Sequence, residues 1–164
     1  MEEVVESVVA LVLATAIIIA SLMLIYPYIK ARQAEQRLEI GKRIAYSIAN
    51  TVEGVVASGV GASSTISIVL PKDIVIVYGN NSVDVVVMNA PRYEGNLTLA
   101  NLSITYITLN PHGTEIIISV HLKSGWRLSM SGLASSGQEN QLLIEYQSYN
   151  ATTNVGIIRL QWGG

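Results

Sequence analysis

Side chains able to do acid–base or metal chemistry are few in this chain of 164 residues, and they are scattered along it. The two histidines, His112 and His121, stand apart in the segments NPHGT and ISVHLK, and cysteine is absent. Metal sites and nucleophilic sites need several such groups at defined spacings, and glycosidase carboxylates work in pairs. We therefore expect no catalytic residue, no metal ligand and no cofactor, and the sequence predicts a protein that is not an enzyme.

The glycine-rich segment GVGASS, residues 59–64, has only a superficial likeness to a phosphate-binding loop. Such a loop carries a lysine that contacts phosphate and follows a strand, whereas this segment lacks lysine and follows a helical pattern. Gly59 and Gly61 are instead typical of residues that end a helix. The segment is interpreted as a helix terminus followed by the start of a strand.

Asparagines in the N-x-S/T pattern of glycosylation acceptors occur only in the second part of the chain. The candidates are Asn80, Asn96, Asn101 and Asn150. This distribution favours an extracytoplasmic domain that carries glycans.

The net charge of the chain is −2, and it has no long run of basic residues. The sequence therefore gives no indication of a nucleic-acid partner.

Residues 4–29 form an almost uninterrupted apolar segment with no charge between residues 7 and 29. The flanking charges are Glu2, Glu3 and Glu6 before it and Lys30 and Arg32 after it. About 20 apolar residues in a helix cross a bilayer, so the segment is long enough to span one. A core helix would show a polar stripe, and a cleaved secretory signal would have a basic start and a shorter apolar stretch.

The helical pattern continues through residues 30–58, where small and apolar residues recur every three or four positions. We predict one long helix within residues 1–61, apolar all round over 4–29 and amphipathic over 30–58. Pro27 removes a backbone donor, so a kink or local break is expected at residues 26–28. The residues expected to pack on a sheet are Leu38, Ala45, Ile48, Val52 and Val55.

Residues 62–164 contain eight short runs rich in Val, Ile, Thr and Tyr, separated by Gly, Pro, Asn or Ser. The segment YGNNS at residues 78–82 predicts a hairpin turn between the second and third runs. The predicted fold class is α+β, a long hydrophobic N-terminal helix followed by an antiparallel, sandwich-like β-domain. The amphipathic half of the helix is expected to cover the apolar face of this domain.

The charges flanking the apolar segment conflict with the glycosylation acceptors. Basic residues near a spanning helix tend to stay in the cytoplasm, which would place the β-domain inside the cell. The acceptors favour the opposite side.

The arrangement resembles archaeal type IV pilins. The likeness rests on the apolar half-helix with Glu6 near its start, the amphipathic continuation AYSIANTVEGVVASGVG, and the Ser/Thr-rich entry GASSTISIVLPKDIVIVYGNNSVDV into a β-domain. The resemblance implies a short basic leader that holds the N-terminus in the cytoplasm until a membrane peptidase removes it, which would resolve the conflict. Glu6 stands one position later than the glutamate typical of bacterial pilins.

The resemblance further implies a structural subunit of an extracellular type IV pilus-like filament, inserted in the membrane before assembly. Its partners would be identical subunits in a helical polymer, a leader peptidase and a membrane assembly machinery. The residues expected to form the helical core of the filament are Glu6, Val9, Leu11, Leu13, Ile17, Ile18, Ile19, Leu22, Leu24 and Ile25. Glu6 has two interpretations. Its charge either interacts favourably with the helix dipole at the membrane surface, or it pairs in the filament core with the amino group of a neighbouring subunit.

The alternative interpretation is a membrane-anchored accessory protein, such as a stator-like subunit of the archaeal rotating filament. Its helix would remain a permanent anchor for an extracytoplasmic β-sandwich. An initiator Met1 retained without a leader favours this alternative, and the long amphipathic continuation favours the pilin.

Overall fold

The computed structural model describes residues 2–79, 81–108 and 115–163, with side chains from Val5 onward. One long helix precedes nine strands in this part of the chain. The elements are α1 (Glu2–Ser58), β1 (Ser63–Val69), β2 (Ile74–Tyr78), β3 (Ser82–Met88), β4 (Gly95–Thr98), β5 (Leu102–Thr108), β6 (Glu115–Leu122), β7 (Trp126–Ser131), β8 (Glu139–Asn150) and β9 (Val155–Gly163). The α+β class predicted from the sequence is confirmed.

Helix α1 contains 57 residues, which corresponds to a length of roughly 85 Å. It is continuous through Pro27, so of the kink or local break expected at residues 26–28 the break does not occur, and the kink stays a prediction. A proline inside a helix removes one hydrogen bond, and the regular turns on both sides keep the backbone helical. Helix α1 ends at Ser58, where Gly59 adopts a left-handed φ of 94°.

The strands form two sheets. One has the order β1-β8-β9-β7 and the other the order β2-β3-β6-β5-β4. The expected hairpin between β2 and β3 is present, with antiparallel pairing from Ile74 opposite Val87 to Tyr78 opposite Val83. Most neighbours are antiparallel, but β7 runs parallel to β9, which corrects the expectation of purely antiparallel sheets.

A single hydrophobic core joins the second half of α1 to the strands. The helix contacts β1 and β8 of the first sheet and β3, β5 and β6 of the second. The helix backbone lies close to the sheet at Gly41, where an added Cβ would lie 2.3 Å from Cγ2 of Val87. This half of the helix is therefore part of the β-domain, which we call the head, defined as residues 34–163.

The connection from α1 to β1 is held to the first sheet by backbone hydrogen bonds. The amide of Gly61 donates to the carbonyl of Tyr146 at 2.8 Å, and the amide of Tyr146 donates to the carbonyl of Ala62 at 2.9 Å. The end of the helix is thereby fixed relative to strand β8. The direction in which the free half of α1 leaves the head is set by this junction and by the helix–sheet core.

Candidate functional site

The first half of α1 extends away from the head, and its described side chains are exposed. Over residues 5–33 every side chain is exposed, and the helix is long and apolar enough to cross a membrane, with none of its apolar window buried. The residues expected to form a filament core all lie in this region with exposed side chains: Glu6, Val9, Leu11, Leu13, Ile17, Ile18, Ile19, Leu22, Leu24 and Ile25. We call residues 5–29 the apolar half-helix.

Exposure of the large side chains in the apolar half-helix reaches 78 % at Leu24. Burying one such side chain contributes roughly 1.5–3 kcal/mol, so leaving all of them in water would be strongly unfavourable. Two hydroxyls, of Thr15 and Ser21, donate to the carbonyls four residues earlier at 2.8 Å. These two hydroxyls are thus satisfied within the helix, as an apolar environment requires.

A group of tyrosines and cations follows at the end of the apolar half-helix. We call Tyr26, Tyr28, Lys30 and Arg32 the collar. Nζ of Lys30 lies 4.7 Å from the ring centroid of Tyr26, and Nε of Arg32 donates to the hydroxyl of Tyr28 at 3.1 Å. Tyrosines and long basic side chains of this kind are enriched where a helix leaves the bilayer core.

The residues expected to pack on a sheet are all buried in the head. Leu38 is 5 % exposed and Val55 is 4 % exposed, while Ala45, Ile48 and Val52 are 2 % exposed or less. They share the face of α1 that the strands cover.

A cluster of three tyrosines, Tyr46, Tyr93 and Tyr106, lies at one side of the helix–sheet contact. The hydroxyl of Tyr106 donates to that of Tyr46 at 2.8 Å, and the Tyr93 ring stands edge-on to Tyr106 with centroids 5.0 Å apart. Nζ of Lys42 lies 3.8 Å from the ring centroid of Tyr93. Burial raises the pKa of Tyr106 above its ordinary value, and the hydrogen bond with Tyr46 adds to this. Burial also raises the pKa of Tyr78.

The glycosylation candidates differ in accessibility. Asn96 on β4 and Asn150 at the end of β8 are exposed. Asn101 is half-buried, and its Nδ2, the atom that would carry a glycan, donates to Glu53 at 2.6 Å. Asn80 lies outside the described residues. Of the three described acceptors, Asn96 and Asn150 are therefore accessible, and we call them the open acceptors. Asn101 is held by a hydrogen bond within the fold.

The described residues contain no group of three or more His, Cys, Asp or Glu side chains that could hold a metal ion. His121 lies on β6 between Ser82 and Ser103 of the neighbouring strands and is half-buried. His112 falls outside the described residues.

Besides the tyrosine pair, two long-range polar contacts join α1 to the segments around the strands, and neither was anticipated from the sequence. Nε of Arg37 lies 2.8 Å from Oδ2 of Asp73, and Oε1 of Glu53 accepts a hydrogen bond from the backbone amide of Asn101 at 2.6 Å. Partners 36 and 48 residues apart leave no local signal in a sequence.

A groove also forms where α1 leaves the head, and we call it the neck groove. It has a volume of about 500 Å³ and is lined by Lys30, Ala31, Gln33, Ala34, Arg37, Asn89, Ala90 and Pro91. The helix supplies one wall, and the segment after β3 supplies the other. Asn89 has a positive φ of 53°, which turns the chain into this wall.

Comparison of the chain with protein-family models, curated proteins and solved structures gives no significant match.

Proposed function

We propose that this protein is a structural subunit of an extracellular, archaeal type IV pilus-like filament. The observation that carries the proposal is the division of one continuous helix into two halves with opposite surroundings. The second half is built into the head, and the side chains of the apolar half-helix are exposed, with none of its apolar window buried by the described residues. A polymer in which many copies bury this half against one another satisfies that surface.

The apolar half-helix can serve two environments in succession. At roughly 37 Å it is long enough to cross the apolar core of a bilayer, about 30 Å thick, which would hold the subunit before assembly. Small residues such as Ala10, Ala14 and Ala20 allow helices to approach closely, which suits bundling after the subunit leaves the membrane. The same surface would first anchor the subunit and then join it to its neighbours.

The proposal gives the head a passive role. It would coat the outside of the filament, and the open acceptors Asn96 and Asn150 would carry glycans on that surface. No reaction is assigned to it. A leader peptidase and a membrane assembly machinery would be the remaining partners, as the resemblance to pilins implies.

The collar favours a second candidate, a permanently membrane-anchored accessory subunit of stator type. Tyrosines paired with Lys30 and Arg32 at the end of an apolar helix are suited to a lasting membrane–water interface. In this candidate the apolar half-helix remains surrounded by lipid, and the head works outside the membrane as a monomer or in a small complex.

Surface shearing of cells that make the protein separates the two candidates. We expect the chain in the sheared filament fraction, and Leu24→Lys should remove it from that fraction because a charge would enter the bundle. Leu133→Lys is the matched control, since Leu133 is 87 % exposed on the head. Retention of the wild-type chain in membranes alone, with no filament containing it, would reject the filament and support the anchored candidate.

A further inference from the structure

Charge along α1 is divided between its start and its middle. Three glutamates, at positions 2, 3 and 6, stand at the start. Residues 30–43 carry five basic and two acidic side chains, so that stretch has an excess of positive charge. Copies of the helix bundled in parallel without an axial shift would place like charges side by side, which is unfavourable in surroundings of low dielectric constant.

An axial shift of one copy relative to another turns this repulsion into attraction. Glu6 precedes Lys30 by 24 residues and Arg37 by 31 residues, which corresponds to roughly 36 and 46 Å along a helix. A neighbour shifted by a distance in that range would bring its Glu6 level with the neck groove. Other neighbours with smaller shifts would bury the apolar half-helices on one another.

The neck groove has the properties that such a contact requires. Lys30 is exposed and makes no ion pair with any described residue, and Glu6 likewise has none. Arg37 binds Asp73 through Nε, which holds its guanidinium in place at the groove. The groove has a volume of about 500 Å³, which is large enough to admit side chains from the start of a helix in another chain.

We propose that the neck groove receives the acidic helix start of a second copy of this chain, with Glu6 of that copy paired to Lys30. The contact rests on the proposed filament, and it fixes the axial register between subunits. In this contact Glu6 sets the axial register. Its partner is the Lys30 side chain of the groove and not the amino group of a neighbouring subunit.

Cysteine cross-linking tests the register, because the natural chain has no cysteine. In filaments of the double variant Val5→Cys with Gln33→Cys, which keeps Glu6 and Lys30, mild oxidation should give a ladder of covalent multimers. The two positions are 28 residues apart in one helix, or roughly 42 Å, so no disulfide can form within one chain. The matched control is Val5→Cys with Asn50→Cys, where the second thiol lies roughly 25 Å further along and no ladder is expected.

Charge exchange tests the pairing. We expect Lys30→Glu to lower filament yield at least tenfold and the double variant Glu6→Lys with Lys30→Glu to recover most of it. Lys72→Glu, an exposed charge reversal on the head, should leave the yield unchanged.

The possible failures are distinguishable. Filaments of the variant with cysteines at positions 5 and 33 that give no ladder, or a normal yield of Lys30→Glu, would overturn this contact and leave the filament standing. Normal filaments combined with weaker membrane retention of Lys30→Glu would assign the groove to a lipid phosphate instead. Absence of the wild-type chain from all filaments would overturn both the proposed function and the contact.

Discussion

Gly41 occupies a point where helix α1 has no room for a side chain. An added Cβ would meet Cγ2 of Val87 at 2.3 Å and Cδ1 of Ile118 at 3.3 Å. We expect Gly41→Ala to lower the free energy of unfolding by about 1–3 kcal/mol, because overpacking outweighs the gain in helix propensity.

Gly54→Ala is the matched control, since Gly54 lies in the same helix with no atom within 4 Å of an added Cβ. Here the propensity gain alone should raise the free energy of unfolding by about 0.5–1 kcal/mol. Denaturant unfolding of both variants in the same detergent measures the difference. Equal effects of the two substitutions would contradict the close helix–sheet contact.

Buried tyrosines make the stability of the head sensitive to alkali. The pKa values of Tyr106 and Tyr78 are raised in the folded state, so above about pH 10 the unfolded chain loses these protons first. Stability should be fully present below about pH 10 and should fall above it. Unfolding of Tyr78→Phe should show a smaller alkaline loss, measured by denaturant titration between about pH 8 and about pH 11. An unchanged loss would contradict this role for Tyr78.

Tyr78→Phe should also cost little at neutral pH. The Tyr78 hydroxyl is buried and has no hydrogen-bond partner within the described part of the chain. Tyr106→Phe, in contrast, leaves the Tyr46 hydroxyl without its partner and should be the more destabilising of the two.

Glycan occupancy should follow the accessibility of each acceptor. We expect Asn96→Gln and Asn150→Gln each to reduce the intact mass of native protein by one glycan, because both asparagines are exposed. Asn101→Gln should leave the glycan mass unchanged, since Nδ2 of Asn101 is bound to Glu53. A native protein with the mass of the bare polypeptide would contradict the glycoprotein expectation.

At the scale of elements, the two halves of α1 should respond differently to the same substitution. Ile48 is fully buried in the head, and Ile18 is 59 % exposed in the apolar half-helix. We expect Ile48→Ala to lower the free energy of unfolding of the head by about 2–5 kcal/mol. Ile18→Ala should leave head unfolding unchanged and should weaken filaments, measured as a lower dissociation temperature. Destabilisation of the head by Ile18→Ala would show that the halves are not separate.

The elements that the sequence predicted well are those with a strong local period. The helix and eight of the strands were recognisable from spacing and composition, and YGNNS correctly indicated the β2–β3 hairpin. Strand β4, Gly95–Thr98, was missed because four residues beginning with Gly and Asn carry almost no strand signal.

Sheet order and strand direction were not accessible from the sequence. The parallel pairing of β7 with β9 brings Trp126 opposite Gly156, and the Trp126 ring lies so close that a Cβ at Gly156 would be 2.3 Å from it. Nothing near either residue in the sequence signals the other. The neck groove was hidden for the same reason, because its walls come from residues more than 50 positions apart.

At the scale of the whole molecule, the protein combines a self-contained head with a surface that needs an outside partner. The head encloses its core between α1 and two sheets. The apolar half-helix is exposed in its entirety, and burial in lipid or among other copies would remove its apolar surface from water. Its surroundings in the assembled state therefore decide between the filament and the anchored subunit.

Electron cryomicroscopy of filaments sheared from native cells, combined with N-terminal sequencing of the same fraction, tests this choice most directly. The filament account predicts a helical polymer whose density fits this chain, with the apolar half-helices bundled at its centre and the heads outside. Recovery of the chain only from membranes, with Met1 intact and no filament whose density fits it, would contradict the account.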